Sequence, residues 1–272
     1  MRIIGFVLGI FLWASASVAQ DCTPTNFRTV PIAPLSPDAA INSLLNGYPD
    51  LRFDAETAQF IAPSGARLAY TAPTDRPAQT ILTDATIGDQ FRYRYPLNFD
   101  LTARQTPWHD PGRVRNDAFL RFLYGDSKSE VRASLTQVQS PDGRARFRVT
   151  RRHGVDCQLR AALAEIGTAY PKVFSKTGGS FNWRFISGTN RMSVHSFGAA
   201  IDLNTEMGGY WKWSGAKAGA VGDYRNQIPK AVVSALETYG FIWGGKWHHF
   251  DGMHFEYRPE LILFARLTAE EG

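Results

Sequence analysis

Two short apolar runs constrain this fold more than any other feature, because each carries a side chain that burial ordinarily excludes. Residues 193–204 read SVHSFGAAIDLN, and residues 247–257 read WHHFDGMHFEY. In the first, Gly198 allows a tight turn after His195, and AAIDL then enters a strand with Asp202 inside it. In the second, GMHFEY is strand-like and carries His254. Buried polar and charged groups need a partner. Each has an ordinary reading when taken singly: a hydrogen-bonded core histidine, and an aspartate in a turn. Together they allow a second reading, in which two strands from distant parts of the chain converge on one metal ion.

The remaining sequence reads as an α+β fold, a small antiparallel sheet flanked by helices. Ser36 or Asp38 caps a short helix within PIAPLSPDAAINSLL. RFDAETAQFIAPSGARLAY reads as short strands around a Pro-Ser-Gly turn. DPGRVRNDAFLRFLYG is a Pro-Gly turn and a helix closed by Gly125. Ser127 and Glu130 form a capping box, and Val131, Leu135 and Val138 continue it at helical spacing. PDGRARFRVT is a turn and a strand with Ala145, Phe147 and Val149 facing in. Asp156 caps a helix whose stripe is Leu159, Leu163, Ile166 and Tyr170. IPKAVVSALETYG has Pro229 near its first turn and Gly240 past its end. FNWRFISG, GAAIDLN, GFIWGG and DGMHFEY are short strands and glycine-rich loops.

Composition narrows the class. The chain has 272 residues, 44% hydrophobic and 20% charged, which suits a globular protein with a sizeable core. Residues 1–19 read as a signal peptide: a basic Arg2, an apolar run from Ile3 to Trp13, and a Ser17-Val18-Ala19 end with cleavage after Ala19. That run is short for a membrane span. A periplasmic or secreted protein with no integral membrane segment in the mature chain is therefore expected. Residues 20–100 form an N-terminal extension of open role, and residues 101–272 form the domain that carries both runs. The only two cysteines, Cys22 and Cys157, are expected to form a disulfide in an oxidising compartment. The formal charge of +5 falls to +4 without Arg2 and is interspersed. No basic block marks a nucleic-acid partner. A mild positive charge suits an anionic polymer such as cell-wall peptide.

Three of the six histidines, His248, His249 and His254, fall within seven residues. Catalytic zinc takes three protein ligands and keeps one position for water. His195, Asp202 and His254 supply such a set. Asp251 lies three residues before His254, where a general base can reach a metal-bound water. Glu256 shares a strand face with His254 and either orients an imidazole or forms a structural ion pair. His248 and His249 line the cleft or are exposed. The chain has neither an H-E-x-x-H helix nor an H-x-H pair.

SVHSFGAAIDLN resembles the S-x-H-x-x-G-x-A-x-D motif of the VanY-like zinc D-alanyl-D-alanine carboxypeptidases and their endopeptidase relatives. WGGKWHHFDGMHFEYRPEL resembles that family's second motif, with an acid three residues before the histidine and F-E-Y after it. FNWRFISGTNR and DPGRVRNDAFLRFLYG resemble upstream segments, so the likeness covers roughly residues 105–265. The resemblance implies one Zn²⁺ on His195, Asp202 and His254, with Asp251 as catalytic acid–base where many members have glutamate. It implies a substrate-facing arginine at Arg184, with Arg191 as competitor, and a substrate contact at Ser193. It implies a peptidase acting on peptidoglycan stem peptides, as carboxypeptidase or endopeptidase. Lys212 or Lys217, in the glycine-rich segment 208–220, is a candidate cation for a terminal carboxylate. The competing reading is a cell-wall-binding module that keeps the zinc fold without catalysis.

Overall fold

The computed structural model describes residues 23–269. The proposed signal peptide and Cys22 lie outside that range. No described cysteine is free.

The N-terminal segment contains helix α1 (Ala39–Gly47), strands β1 (Arg52–Asp54), β2 (Gln59–Ile61) and β3 (Arg67–Ala69), and the short helix α2 (Ala78–Ile81). Asp38 caps α1 by accepting a 2.9 Å bond from the Ile41 amide, as its sequence position suggests. β1, β2 and β3 form an antiparallel meander. Then come α3 (Asp117–Tyr124), α4 (Lys128–Ser134), β4 (Leu135–Gln139), β5 (Arg146–Thr150) and α5 (Val155–Ile166). The last part runs β6 (Thr177–Gly179), β7 (Ala200–Asn204), α6 (Thr205–Gly208), α7 (Lys230–Thr238), β8 (Phe241–Trp243), β9 (His254–Tyr257) and α8 (Pro259–Leu267). The fold is α+β, as expected, with three small antiparallel sheets rather than one. Among the described residues no helix is long and apolar enough to cross a membrane.

Four local expectations are corrected. The helical spacing of Val131, Leu135 and Val138 breaks at Leu135, where α4 gives way to β4. β4 pairs with β5 along its whole length, and cross-strand pairing overrides the local spacing. Asp156 does not cap α5; the helix starts one residue earlier, after Gly154 in the left-handed region, and Asp156 sits in its first turn. Tyr170 lies beyond that helix, which stops at Gly167. FNWRFISG makes only an isolated bridge, Phe185 to Met192, and the strand beside β7 is β6 instead.

The sheet that matters for function runs β6-β7-β9-β8, all antiparallel. Its two central strands are AIDLN and HFEY, the two runs singled out above. A single core joins Phe27, Leu44, Tyr48, Phe60 and Tyr95 of the N-terminal segment to Phe119, Leu159, Val233, Trp243 and Ile262. Buried polar ties reinforce it. Glu237 on α7 accepts hydrogen bonds from Tyr95 (2.5 Å), Lys246 (2.5 Å) and Arg28 (3.1 Å). Burial pushes the Glu237 carboxyl up and the Lys246 amine down. Their direct pairing opposes both shifts.

Candidate metal centre and cleft

Strand register brings two of the three expected ligands face to face. β7 pairs with β9 so that Asp202 stands directly opposite His254. His195 comes from the 3₁₀ turn Val194–Phe197, which ends at Gly198 with φ 68°. A Cβ at Gly198 would lie 2.6 Å from Leu135 Cδ2, so only glycine permits the turn to fold back into β7.

Hydrogen bonds on the far sides of both rings fix which nitrogen faces inward. His195 Nδ1 lies 2.6 Å from the Ser180 carbonyl oxygen, which can only accept, so Nδ1 carries the proton. His254 Nε2 lies 2.9 Å from a Glu256 carboxylate oxygen and donates in the same way. This leaves His195 Nε2 and His254 Nδ1 with inward lone pairs, 3.1 Å apart. Asp202 Oδ1 completes the triangle, 3.2 Å from His195 Nε2 and 3.0 Å from His254 Nδ1. With both rings neutral, three acceptor atoms thus converge, and the set can hold a metal ion. Ligand bonds of about 2.0–2.2 Å around a tetrahedral zinc span edges only slightly longer than these. Without a metal ion, a proton on His254 Nδ1 fills the same place and bonds Asp202. Burial works against charge on His254, but Asp202 and Glu256 outweigh it and push its imidazole up to about 9. Burial would raise the Asp202 carboxyl, but His195 and His254 hold it well below the usual carboxylate range. The donor set calls for a positive charge at its centre and fits zinc.

The triad opens into a cleft of 280 Å³. Asp251, Ser193 and Arg184 all line it, together with Tyr210 and Trp213. Burial pushes the Asp251 carboxyl up, and the Asp202 charge adds to this while His254 opposes it. A carboxylate with a raised pKa is better matched to general-base work. Arg184 is exposed, and its guanidinium has no carboxylate partner among the described residues. Arg191, the competitor, is half-buried and does not line the cleft; burial and the nearby Arg115 and Arg113 lower its pKa to about 10. Hollows of 590 and 650 Å³ exist elsewhere, but neither touches the triad.

Sequence reasoning missed Arg113 and Arg115 here and left the roles of Glu256, His248 and His249 open. Arg113 lines the cleft, stacks 5.4 Å over Trp247, and donates to the His249 carbonyl. Arg115 also lines it, but its charge is committed to Glu256 at 2.5 Å. Glu256 is fully buried and both orients His254 and forms ion pairs. His248 and His249 are buried rather than exposed, and neither lines the triad's cleft. His249 Nδ1 donates to Asp110 (2.7 Å), and its Nε2 accepts from the Gly219 amide (2.9 Å). It thereby anchors the 208–220 segment, which puts Tyr210 and Trp213 in the cleft wall. Lys212 instead sits 5.5 Å over the Trp211 ring, and neither Lys212 nor Lys217 lines the cleft. The signal for Arg113 was its place in the upstream segment DPGRVR, one arginine among 30 lysines and arginines.

No curated protein and no solved structure matches the chain. Residues 187–257 match the model of the D-alanyl-D-alanine carboxypeptidase family. That stretch holds all three triad residues and Asp251, so the match bears out the resemblance read from the two motifs and supports a peptidase.

Proposed function

We propose that this protein is an exported, zinc-dependent peptidase that hydrolyses peptide bonds in peptidoglycan stem peptides. The observation that carries the reading is the triangle of inward-facing acceptors on His195, Asp202 and His254, with Asp251 in the same cleft. These three side chains would hold the zinc ion. When bound, zinc lowers the pKa of a water to about 7 and polarises a carbonyl.

The chain's own residues supply the rest. Asp251 takes a proton from the attacking water and delivers it to the leaving amine. Arg113 and Arg184 are the cleft cations with charge to spare for substrate oxygens. Among the described residues Arg184 has no carboxylate partner, which favours a substrate ending in a free carboxylate over an internal bond. Ser193, buried in the cleft lining, offers a hydroxyl to the substrate. Retention of Asp251 disfavours a pure binding module, because a site that only grips metal needs no base.

Product masses after incubation with a stem pentapeptide and with intact peptidoglycan test this reading. Wild type should release the terminal residue, and Asp251→Ala should release nothing while keeping its metal. Internal fragments would replace the carboxypeptidase reading with an endopeptidase. Metal in both proteins with no product from either would favour the binding module.

A further inference from the structure

The N-terminal segment carries no motif, yet it closes a line of buried polar side chains that begins at the metal triad. We propose that Tyr48 and Gln90 are positioning residues for His254, acting through Glu260, Arg258 and Glu256 to fix the ring orientation that presents Nδ1 to a metal ion. The proposal rests on the triad being a metal site.

The line is written in sequence as every second residue from the start of β9: His254, Glu256, Arg258, Glu260. In space each member holds the next. His254 Nε2 donates to Glu256 Oε2 at 2.9 Å. Arg258 Nη1 donates to Glu256 Oε1 at 3.3 Å, and its Nε to Glu260 Oε1 at 2.5 Å. The Tyr48 hydroxyl donates to Glu260 Oε2 at 2.8 Å. Gln90 Oε1 accepts from Arg258 Nη2 at 3.1 Å. With Arg115 on Glu256, two arginines face two glutamates, and Arg258 and both glutamates are 0–1% exposed.

Such a network is stiff only if its outer end is held. Water cannot replace a lost partner readily at this depth, so an unpaired Glu260 oxygen would pull Arg258 away from Glu256. Tyr48 is that outer stop. It follows directly on α1, where Gly47 packs so closely on α8 that a Cβ would lie 3.0 Å from the Glu260 amide nitrogen. Gln90 holds the opposite face of Arg258 and is itself tied to the Asn116 amide. Partners that orient a ligating histidine change metal affinity by about 10–100-fold when removed.

The test is a cobalt(II) titration of the full mature protein stripped of metal, followed by the visible absorption of the bound ion, beside thermal unfolding of the metal-free protein. Tyr48→Phe keeps the ring and removes the hydroxyl. It should weaken cobalt affinity about 3–10-fold, below the loss from Glu256→Gln, and alter the absorption band. The loss should disappear in a Glu256→Gln background, where the line is already cut. Gln90→Met carries the same expectation from a different element, so a Tyr48 variant that fails to fold leaves the cycle measurable. Unchanged affinity in both variants, or losses that add to that of Glu256→Gln, would reduce Tyr48 and Gln90 to packing residues. Wild type that binds no cobalt would overturn the metal reading itself along with this one.

Discussion

Two clusters of buried charge in this molecule are built on opposite principles. Around Glu237, donors and acceptors match: Tyr95, Lys246 and Arg28 donate, and the carboxylate accepts. Around His195, Asp202 and His254, the inward atoms are all acceptors once both rings are neutral. The first cluster is complete within the chain and serves stability. The second is complete only when a proton or a metal ion takes its centre. Polar groups left mismatched in a low-dielectric interior are costly, which is why this set can draw in a positive charge.

That contrast can be broken from either side. The largest effect falls on the acceptor cluster. Asp251→Ala, beside it, should lower peptide hydrolysis by about 10²–10⁴-fold with metal content unchanged, checked by turnover and elemental analysis of the same preparation. Next in size is the matched cluster. Glu237→Ala strands Lys246 and should cost about 3–5 kcal/mol in denaturant unfolding, while metal stoichiometry stays at the wild-type value. Gly198→Ala joins both effects. Its methyl meets Leu135 at a left-handed backbone position, so a loss of about 1–3 kcal/mol should come with weaker metal binding as His195 shifts.

The smallest effect is a pH dependence at the buried Asp110–His249 pair. Burial would raise the Asp110 carboxyl, but its hydrogen bonds from the His249 ring and amide and the charge of Arg113 outweigh this and hold it below the usual range. A lowered folded-state pKa adds stability above the unfolded value of about 3.9. That stability is lost as pH falls through the lower folded value. Wild type should therefore lose stability below about pH 4 more steeply than Asp110→Asn, read from unfolding midpoints across that acid window.

The triad was legible because its residues are few, chemically distinctive and set in apolar runs. The pairing of AIDLN with HFEY followed from the same pattern. The buried roles of Glu256, Arg258 and Glu260 were half legible, since their alternate spacing is visible but their partners are not. Tyr48 and Gln90 were out of reach. Tyr48 meets Glu260 across 212 positions of sequence, and nothing in NGYPD marks that tyrosine. Arg113 and His249 were obscured by context: one read as part of a helical approach, the other as a histidine lining the cleft or exposed. Local rules failed where tertiary pairing overruled them, as at Leu135, where strand β4 replaces a continued helix.

The most direct test of the central claim is zinc content per chain, measured on protein purified with metal in excess and then dialysed, for wild type, Glu237→Ala, and the double variant His195→Ala/His254→Ala. The account predicts one zinc in wild type and in Glu237→Ala, and none in the double variant. Wild type without zinc, or a double variant that keeps it, would contradict the assignment of these three residues as the metal centre.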